Sequence, residues 1–249
     1  MSYWNKLLTK DNFFLAWKRI NTGTNIYYKR FFREVYLAYE ISHKSNIENL
    51  LNRIKGGSFK PCEPDKIFIP KPSGLQRPIT LLTVEDQIVW QAIANFLMDK
   101  FYEGRKEVEG ITVFSNLHSS DKKYFFKNWK SSYSDYRNKI YSIFKEHKWV
   151  VHFDLAAFFD TISHDHIINL INPKNKESEI AKFVEKILRC WTSENKVSSI
   201  SHGVPQGPIA SSFIGELIFL EIDLKMKKHI KEFSYLRYVD DIRLLAKNE

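Results

Sequence analysis

The sequence predicts an α+β fold in which antiparallel strands are backed by helices. Three observations carry this. Apolar residues recur at spacings of three and four over most of the chain before Leu97. Two short apolar runs on either side of Pro72-Ser73-Gly74 read as a hairpin. The last described pattern, Tyr235 to Ala246, reads as strand, acidic turn, strand.

The composition supports a folded chain. With 249 residues, 43% hydrophobic and 15% aromatic, there is enough apolar surface to bury a sizeable core, and disorder is excluded for most of the length. Lys and Arg exceed Asp and Glu by 38 to 29, a formal charge of +9, which favours a polyanionic partner because phosphates release counterions to bound cations. No run approaches the roughly 20 apolar residues of a membrane helix, so no membrane partner is expected. Cys62 and Cys190 stand far apart with no companion His spacing, which argues against a disulfide framework or cysteine zinc site and for a reducing, cytoplasmic setting.

Phe13, Phe14 and Trp17, then Tyr27, Tyr28, Phe31, Phe32, Val35 and Tyr36 predict helices up to about residue 55, closed by Gly56-Gly57-Ser58. The hairpin over 66–82 presents Lys71 and Arg77 near its tip. Thr83 and Asp86 form an N-terminal capping pair for a helix through Val84, Ile88, Val89, Ala92, Ile93, Phe96 and Leu97. Residues 121–148 mix Lys122, Lys123, Lys127 and Lys130 with many aromatic rings. That mixture suits a nucleic-acid backbone with stacked bases, and equally an amphipathic helical pair with a solvated basic face.

Trp149 to Leu155 is apolar on both faces and predicts a buried strand ending in Asp154. Ser163 is placed to cap a helix from His164, with further helices over 177–191 and 209–228. The chain divides into 1–148 and 149–249.

Adjacent carboxylates at a tight turn between apolar strands repel each other unless a cation sits there. Hard oxygen ligands select Mg²⁺, with Mn²⁺ able to substitute. If strands 149–155 and 235–246 are neighbours, Asp154, Asp240 and Asp241 converge, and three carboxylates can hold two ions roughly 4 Å apart.

Four ordered motifs then give a resemblance. Tyr238-Val239-Asp240-Asp241, Val151 to Ile162, Gly203-Val204-Pro205-Gln206-Gly207-Pro208-Ile209-Ala210-Ser211, and Lys71 to Ile79 together resemble the fingers and palm of reverse transcriptases over residues 60–249. The resemblance implies a right-hand polymerase fold, with fingers at 1–148 and palm at 149–249. It implies RNA-directed DNA synthesis by two-metal nucleotidyl transfer, with dNTPs, an RNA template and a DNA or protein primer as partners. Asp154, Asp240 and Asp241 would be the metal ligands. Lys71, Arg77, Leu155, Phe159 and Gln206 would bind the nucleotide, with the Phe159 ring excluding a 2′-OH. Template-independent terminal transfer and a catalytically silent RNA-binding fragment are the alternatives.

Departures refine the expectation. Pro208, Ser211-Ser212 and Glu216, with the Arg residues flanking the acidic turn, resemble bacterial abortive-infection and defence-associated reverse transcriptases, implying a role in phage resistance and a dedicated noncoding RNA. Eight residues follow Asp241, whereas the family has a primer-gripping segment and a thumb there. The expectation is a fragment, a truncated product or one subunit of a split enzyme, completed by a thumb-bearing partner or continuation.

Overall fold

A computed structural model describes residues 2–22, 31–72, 74–175, 178–193, 201–229 and 233–247. Tyr27 and Tyr28 of the expected helical spacing, Ser73 of the hairpin turn and residue 177 of the expected second helix lie outside them. In chain order come α1 (Tyr3–Leu7), α2 (Lys10–Thr22), α3 (Arg33–Ile41), α4 (His43–Lys55), β1 (Asp65–Pro70), β2 (Gln76–Leu81) and α5 (Val84–Val108). The chain continues with α6 (Trp129–Phe144), β3 (Trp149–Asp154), α7 (Phe158–Thr161), α8 (His164–Ile171), α9 (Glu179–Thr192), α10 (Ile209–Lys228), β4 (Phe233–Tyr238) and β5 (Asp241–Ala246). The chain forms two compact units, Met1–Met98 with Phe159–Ser211, and Asp99–Phe158 with Ser212–Glu249.

The first unit is helical around one antiparallel hairpin. Helix α4 stops because Gly56 and Gly57 close it: Gly57 adopts φ 71, and the Ser58 N–H returns to the Arg53 carbonyl at 2.9 Å, satisfying an end group that would otherwise lack a partner. The hairpin pairs Ile67 with Ile79 and Ile69 with Arg77. At the start of α5, Thr83 Oγ accepts the Asp86 N–H at 3.2 Å and donates to the Asp86 carboxylate at 2.7 Å, which is the capping pair the sequence predicts. Helix α9 buries Ile180, Ala181, Val184, Ile187, Leu188 and Trp191, a single apolar face at helical spacing. Trp191 meets Trp90 edge-on at 5.6 Å, and the Trp90 indole donates to Ser211 Oγ at 2.8 Å.

The second unit holds a three-stranded antiparallel sheet in the order β3-β5-β4. Alternation along β4 decides what covers it. Leu236 and Tyr238 pack with Leu245 against Tyr136 and Ile140 of α6, while Tyr235 and Arg237 face Asp223 of α10. Three sequence expectations fail. The strand read as buried, β3, lies at the sheet edge with all of Trp149–Asp154 exposed, because the covering helices pack on β4 and the Leu245 end of β5. The helix expected across 121–148 begins only at Trp129, where Asn128 Oδ1 accepts the Lys130 N–H at 2.9 Å. The preceding segment instead buries Phe125 against Phe213 at 5.2 Å. Ser163 stands at the cap position of α8, but its side chain makes no capping hydrogen bond.

No helix among the described residues is long and apolar enough to cross a membrane.

Candidate active site

In the second unit, β3 and β5 pair so that Asp154 lies directly across from Asp241, with Tyr238 of β4 on the other side of Asp241. Directly opposed residues of an antiparallel pair point to one face, with Cβ atoms about 4.5–5.5 Å apart. The sheet therefore brings Asp154 and Asp241 together at one end. Asp240 occupies the two-residue turn beside them and is half-buried.

That turn is held in an unfavourable backbone conformation. Val239 has φ 58, a left-handed value costly for a β-branched residue and usually filled by glycine in a two-residue hairpin loop. Two hydrogen bonds hold it: the Val239 N–H donates to Ser115 Oγ at 2.8 Å, and its carbonyl accepts from Arg237 Nη1 at 2.8 Å.

Arg237 in turn belongs to a buried charge network. Its guanidinium donates to the Asp223 carboxylate at 2.9 and 2.6 Å and approaches Glu216 at 2.8 Å. Glu216 also meets Arg105 at 3.4 Å and accepts from Ser115 Oγ at 2.6 Å and Asn116 at 2.8 Å. Burial pushes the Glu216 carboxyl up, but the two guanidiniums and these hydrogen bonds outweigh it and hold the group below its ordinary range. Burial likewise opposes the charge on Arg237, and Glu216 and Asp223 more than restore it. Sequence reading missed this network. Its signal was present: Arg237 interrupts a strand of bulky residues, and Glu216 and Asp223 sit seven apart among Leu217, Phe219, Leu220, Ile222 and Leu224.

Asp241 is engaged by an imidazole, a guanidinium and a hydroxyl. His152 lies at 3.0 Å, Arg243 at 3.3 Å, and the Tyr136 hydroxyl donates at 3.3 Å. Burial, followed by the neighbouring Asp241 charge, raises the Tyr136 phenol above its ordinary value, so it remains a donor. Asp154 is exposed. Among the described residues no group of three or more His, Cys, Asp or Glu side chains is arranged to hold a metal. The donor set nevertheless fits a hard divalent cation in kind, since two opposed carboxylates and a third in the adjoining turn supply only oxygen ligands.

In the first unit, the hairpin and the Gly203–Gly207 loop are joined: the Thr80 N–H donates to the Gln206 carbonyl at 2.8 Å. The loop is pinned at Gly203, whose N–H donates to the Ile162 carbonyl at 2.7 Å and whose carbonyl lies 2.9 Å from His164 Nε2. Gly203 adopts φ 97, and a Cβ there would stand 3.4 Å from both the Asp160 carbonyl and the Thr192 side chain, so glycine is required. Burial lowers the His164 pKa, which keeps the ring neutral and able to donate from Nε2. A depression lined by Lys66, Thr80, Asp160, Trp191 and Gln206 borders the loop.

The expected nucleotide-binding residues are placed as follows. Lys71, in the turn, and Arg77, on β2, are exposed; Gln206 and Phe159 are half-buried. The Phe159 carbonyl accepts the Val204 N–H at 2.9 Å, joining that position to the same loop. Leu155 belongs to the second unit and is exposed. Of the basic residues singled out, Lys130 lies on α6, whereas Lys122, Lys123 and Lys127 lie in the non-helical segment before it.

Comparison with known proteins adds a family. The profile described as "Reverse transcriptase (RNA-dependent DNA polymerase)" matches residues 69–249. The chain is similar to the "Uncharacterized 91 kDa protein in cob intron" of Schizosaccharomyces pombe, 25% identical over 234 residues, covering 94% of this chain and 27% of that protein. It is also similar to the "Group II intron-encoded protein LtrA" of Lactococcus lactis subsp. cremoris, 25% identical over 191 residues, covering 74% and 29%. The chain thus spans between a quarter and a third of the length of these curated relatives. Among solved structures, a partial Cas6-RT-Cas1–Cas2 complex matches with a TM-score of 0.43 at 16% identity, covering 82% of this chain and 33% of that one. Apo telomerase from Candida tropicalis matches with a TM-score of 0.43 at 15% identity, covering 83% and 49%.

Proposed function

Because the chain belongs to the reverse transcriptase family, we propose that it carries the nucleotidyl-transfer centre of an RNA-directed DNA polymerase. The observation that supports this most is the pairing of Asp154 with Asp241 across β3 and β5, with Asp240 in the adjoining turn. In this reading a primer 3′-OH, or a protein hydroxyl, attacks the α-phosphate of a dNTP, the bond to the bridging oxygen breaks, and pyrophosphate leaves.

Asp154, Asp240 and Asp241 would hold Mg²⁺. Bound there, divalent ions activate the attacking hydroxyl and offset charge on the leaving pyrophosphate. For Asp241 to serve, its carboxylate must exchange His152 and Arg243 for the cation. Lys71 and Arg77 supply positive charge for the triphosphate. The Phe159 ring sets a steric limit against a 2′-OH, Leu155 is assigned to the nucleotide site, and Gln206 lies near the nascent base pair. Lys122, Lys123, Lys127 and Lys130 are assigned to the nucleic-acid backbone. The first 148 residues would be fingers and the remainder palm.

The Arg-flanked acidic turn and the Pro208, Ser211-Ser212 and Glu216 pattern support an antiphage role with a dedicated RNA. Plaque counts on cells with and without the gene test it, and equal counts would reject it.

The central reading is tested by incorporation of labelled dNTP in Mg²⁺, with and without an RNA template and DNA primer, for the parent and Asp240→Ala. Activity in the parent alone supports the assignment. Equal activity in both rejects it, and incorporation without template replaces copying by terminal transfer.

A further inference from the structure

Helix α6 carries an exposed stripe of which the nucleotidyl-transfer reading uses only Lys130. Its inner face buries Ser132, Tyr136 and Ile140. Beside that face, Trp129, Tyr133, Arg137 and Tyr141 follow at a spacing of four residues, neighbours on a helix surface with Cβ atoms about 5–6 Å apart. Trp129 is 54% exposed, Tyr133 43% and Tyr141 59%. Large rings left so open along one line are unusual on a soluble helix.

Cations accompany the rings. The Arg137 guanidinium lies 5.7 Å from the Tyr141 ring centre and donates to its hydroxyl at 3.2 Å, and Lys130 Nζ lies 6.0 Å from the Trp129 ring centre. Two shallow depressions flank the ridge formed by Tyr133, Arg137 and Tyr141. The charged residues lining them are Lys130, Arg137, Lys145 and Arg243, and no carboxylate lines either one. The only acid on α6, Asp135, is absent from both linings. A surface with planar rings at regular intervals, flanking cations and no acid matches a polyanion that carries planar bases. A duplex offers phosphates but keeps its base faces stacked inside, so the rings specify a single strand.

We propose that this face of α6 binds single-stranded nucleic acid, with bases stacked on Trp129, Tyr133 and Tyr141 and phosphates met by Lys130, Arg137 and Lys145. The choice of polymer rests on the polymerase reading; the placement rests on the α6 face and the adjoining Lys145 and Arg243. It narrows the basic and aromatic stretch read over residues 121–148 to one helical face, and moves the emphasis from Lys122, Lys123 and Lys127 to the rings on it.

The test is fluorescence anisotropy of a labelled single-stranded oligouridine across a NaCl series, with thermal melts confirming that each variant is folded. Trp129→Ala, Tyr133→Ala and Tyr141→Ala should each weaken binding roughly 5- to 160-fold, the range for losing one stacking ring. Tyr133→Phe, which keeps the ring, should bind like the parent. Arg137→Ala with Lys145→Ala should lower the salt slope by about 1.4, two phosphate contacts at about 0.7 each on a single strand. Parent-like affinity in all three ring variants would overturn the proposal. So would a Trp129→Ala chain that loses self-association in sedimentation while keeping its affinity for RNA, because the face would then join two copies. If Asp240→Ala abolishes incorporation while the ring variants bind normally, the α6 inference falls and the polymerase reading stands. If the parent incorporates nothing but the ring variants lose RNA, the polymerase reading falls and the α6 surface stands.

Discussion

Arg237 donates a hydrogen bond to the carbonyl of Val239 at 2.8 Å, so a fully buried cation grips the strained residue immediately before Asp240. The guanidinium is fixed by Glu216 and Asp223, which makes the carboxylate turn an extension of the charge network under the sheet. Replacing Arg237 with Met leaves the buried Asp223 carboxylate without its cation and Glu216 with Arg105 alone. Urea unfolding should show a loss of about 3–5 kcal/mol, the range for breaking a buried ion pair from one side. A loss below about 1 kcal/mol, the scale of a surface pair, would mean that the network does not hold the turn.

Arg243 and His152 occupy the carboxylate that the polymerase reading assigns to metal. If they compete with Mg²⁺ for Asp241, then Arg243→Ala should lower the Mg²⁺ concentration needed for half-maximal incorporation, and adding His152→Ala should lower it further. An increased Mg²⁺ requirement would show that these side chains organise Asp241 for the metal instead of competing with it.

Phe159 tests nucleotide selection. Phe159→Val removes most of the ring and should raise incorporation of ribonucleotides relative to deoxynucleotides, measured as the ratio of kcat/KM values. An unchanged ratio would remove the steric role and leave the half-buried ring as packing.

Asp86 sets a pH dependence in the first unit. Burial, opposed only in part by hydrogen bonds from Thr83 and the Cys62 N–H, raises its carboxyl from 3.8 to about 6. The folded chain therefore binds this proton more tightly than the unfolded chain. Stability should fall as pH rises from about 4 to about 6, then stay level in this respect, a total of about 3 kcal/mol at 1.36 kcal/mol per pH unit. Asp86→Asn should flatten that segment of the urea stability curve; an unaltered slope would assign it to other groups.

Much of the fold was legible locally. The Thr83–Asp86 cap, the Lys71-to-Arg77 hairpin and the acidic hairpin between Tyr238 and Asp241 each depend on residues close in sequence, and each forms where the pattern places it. The exposure of β3 was not legible, because apolar residues on both faces state that cover is wanted and not whether a neighbour supplies it. The start of α6 was missed because Phe125 packs on Phe213, a contact far away in the sequence that overrides local helical spacing.

The family is readable from four short motifs in order, each a run of neighbouring residues whose chemistry is written in the residue types, and the same motifs name the candidate metal and nucleotide ligands. That Asp154 stands opposite Asp241, that Thr80 holds the Gln206 loop and that Arg237 closes on Val239 emerge only when the chain is folded. Strand register, loop anchoring and the pairing of buried charges are long-range choices, fixed when the chain must satisfy every buried polar group at once. The α6 face belongs to both levels, since the rings are visible in the sequence and the absence of any carboxylate lining its two depressions is visible only in the fold.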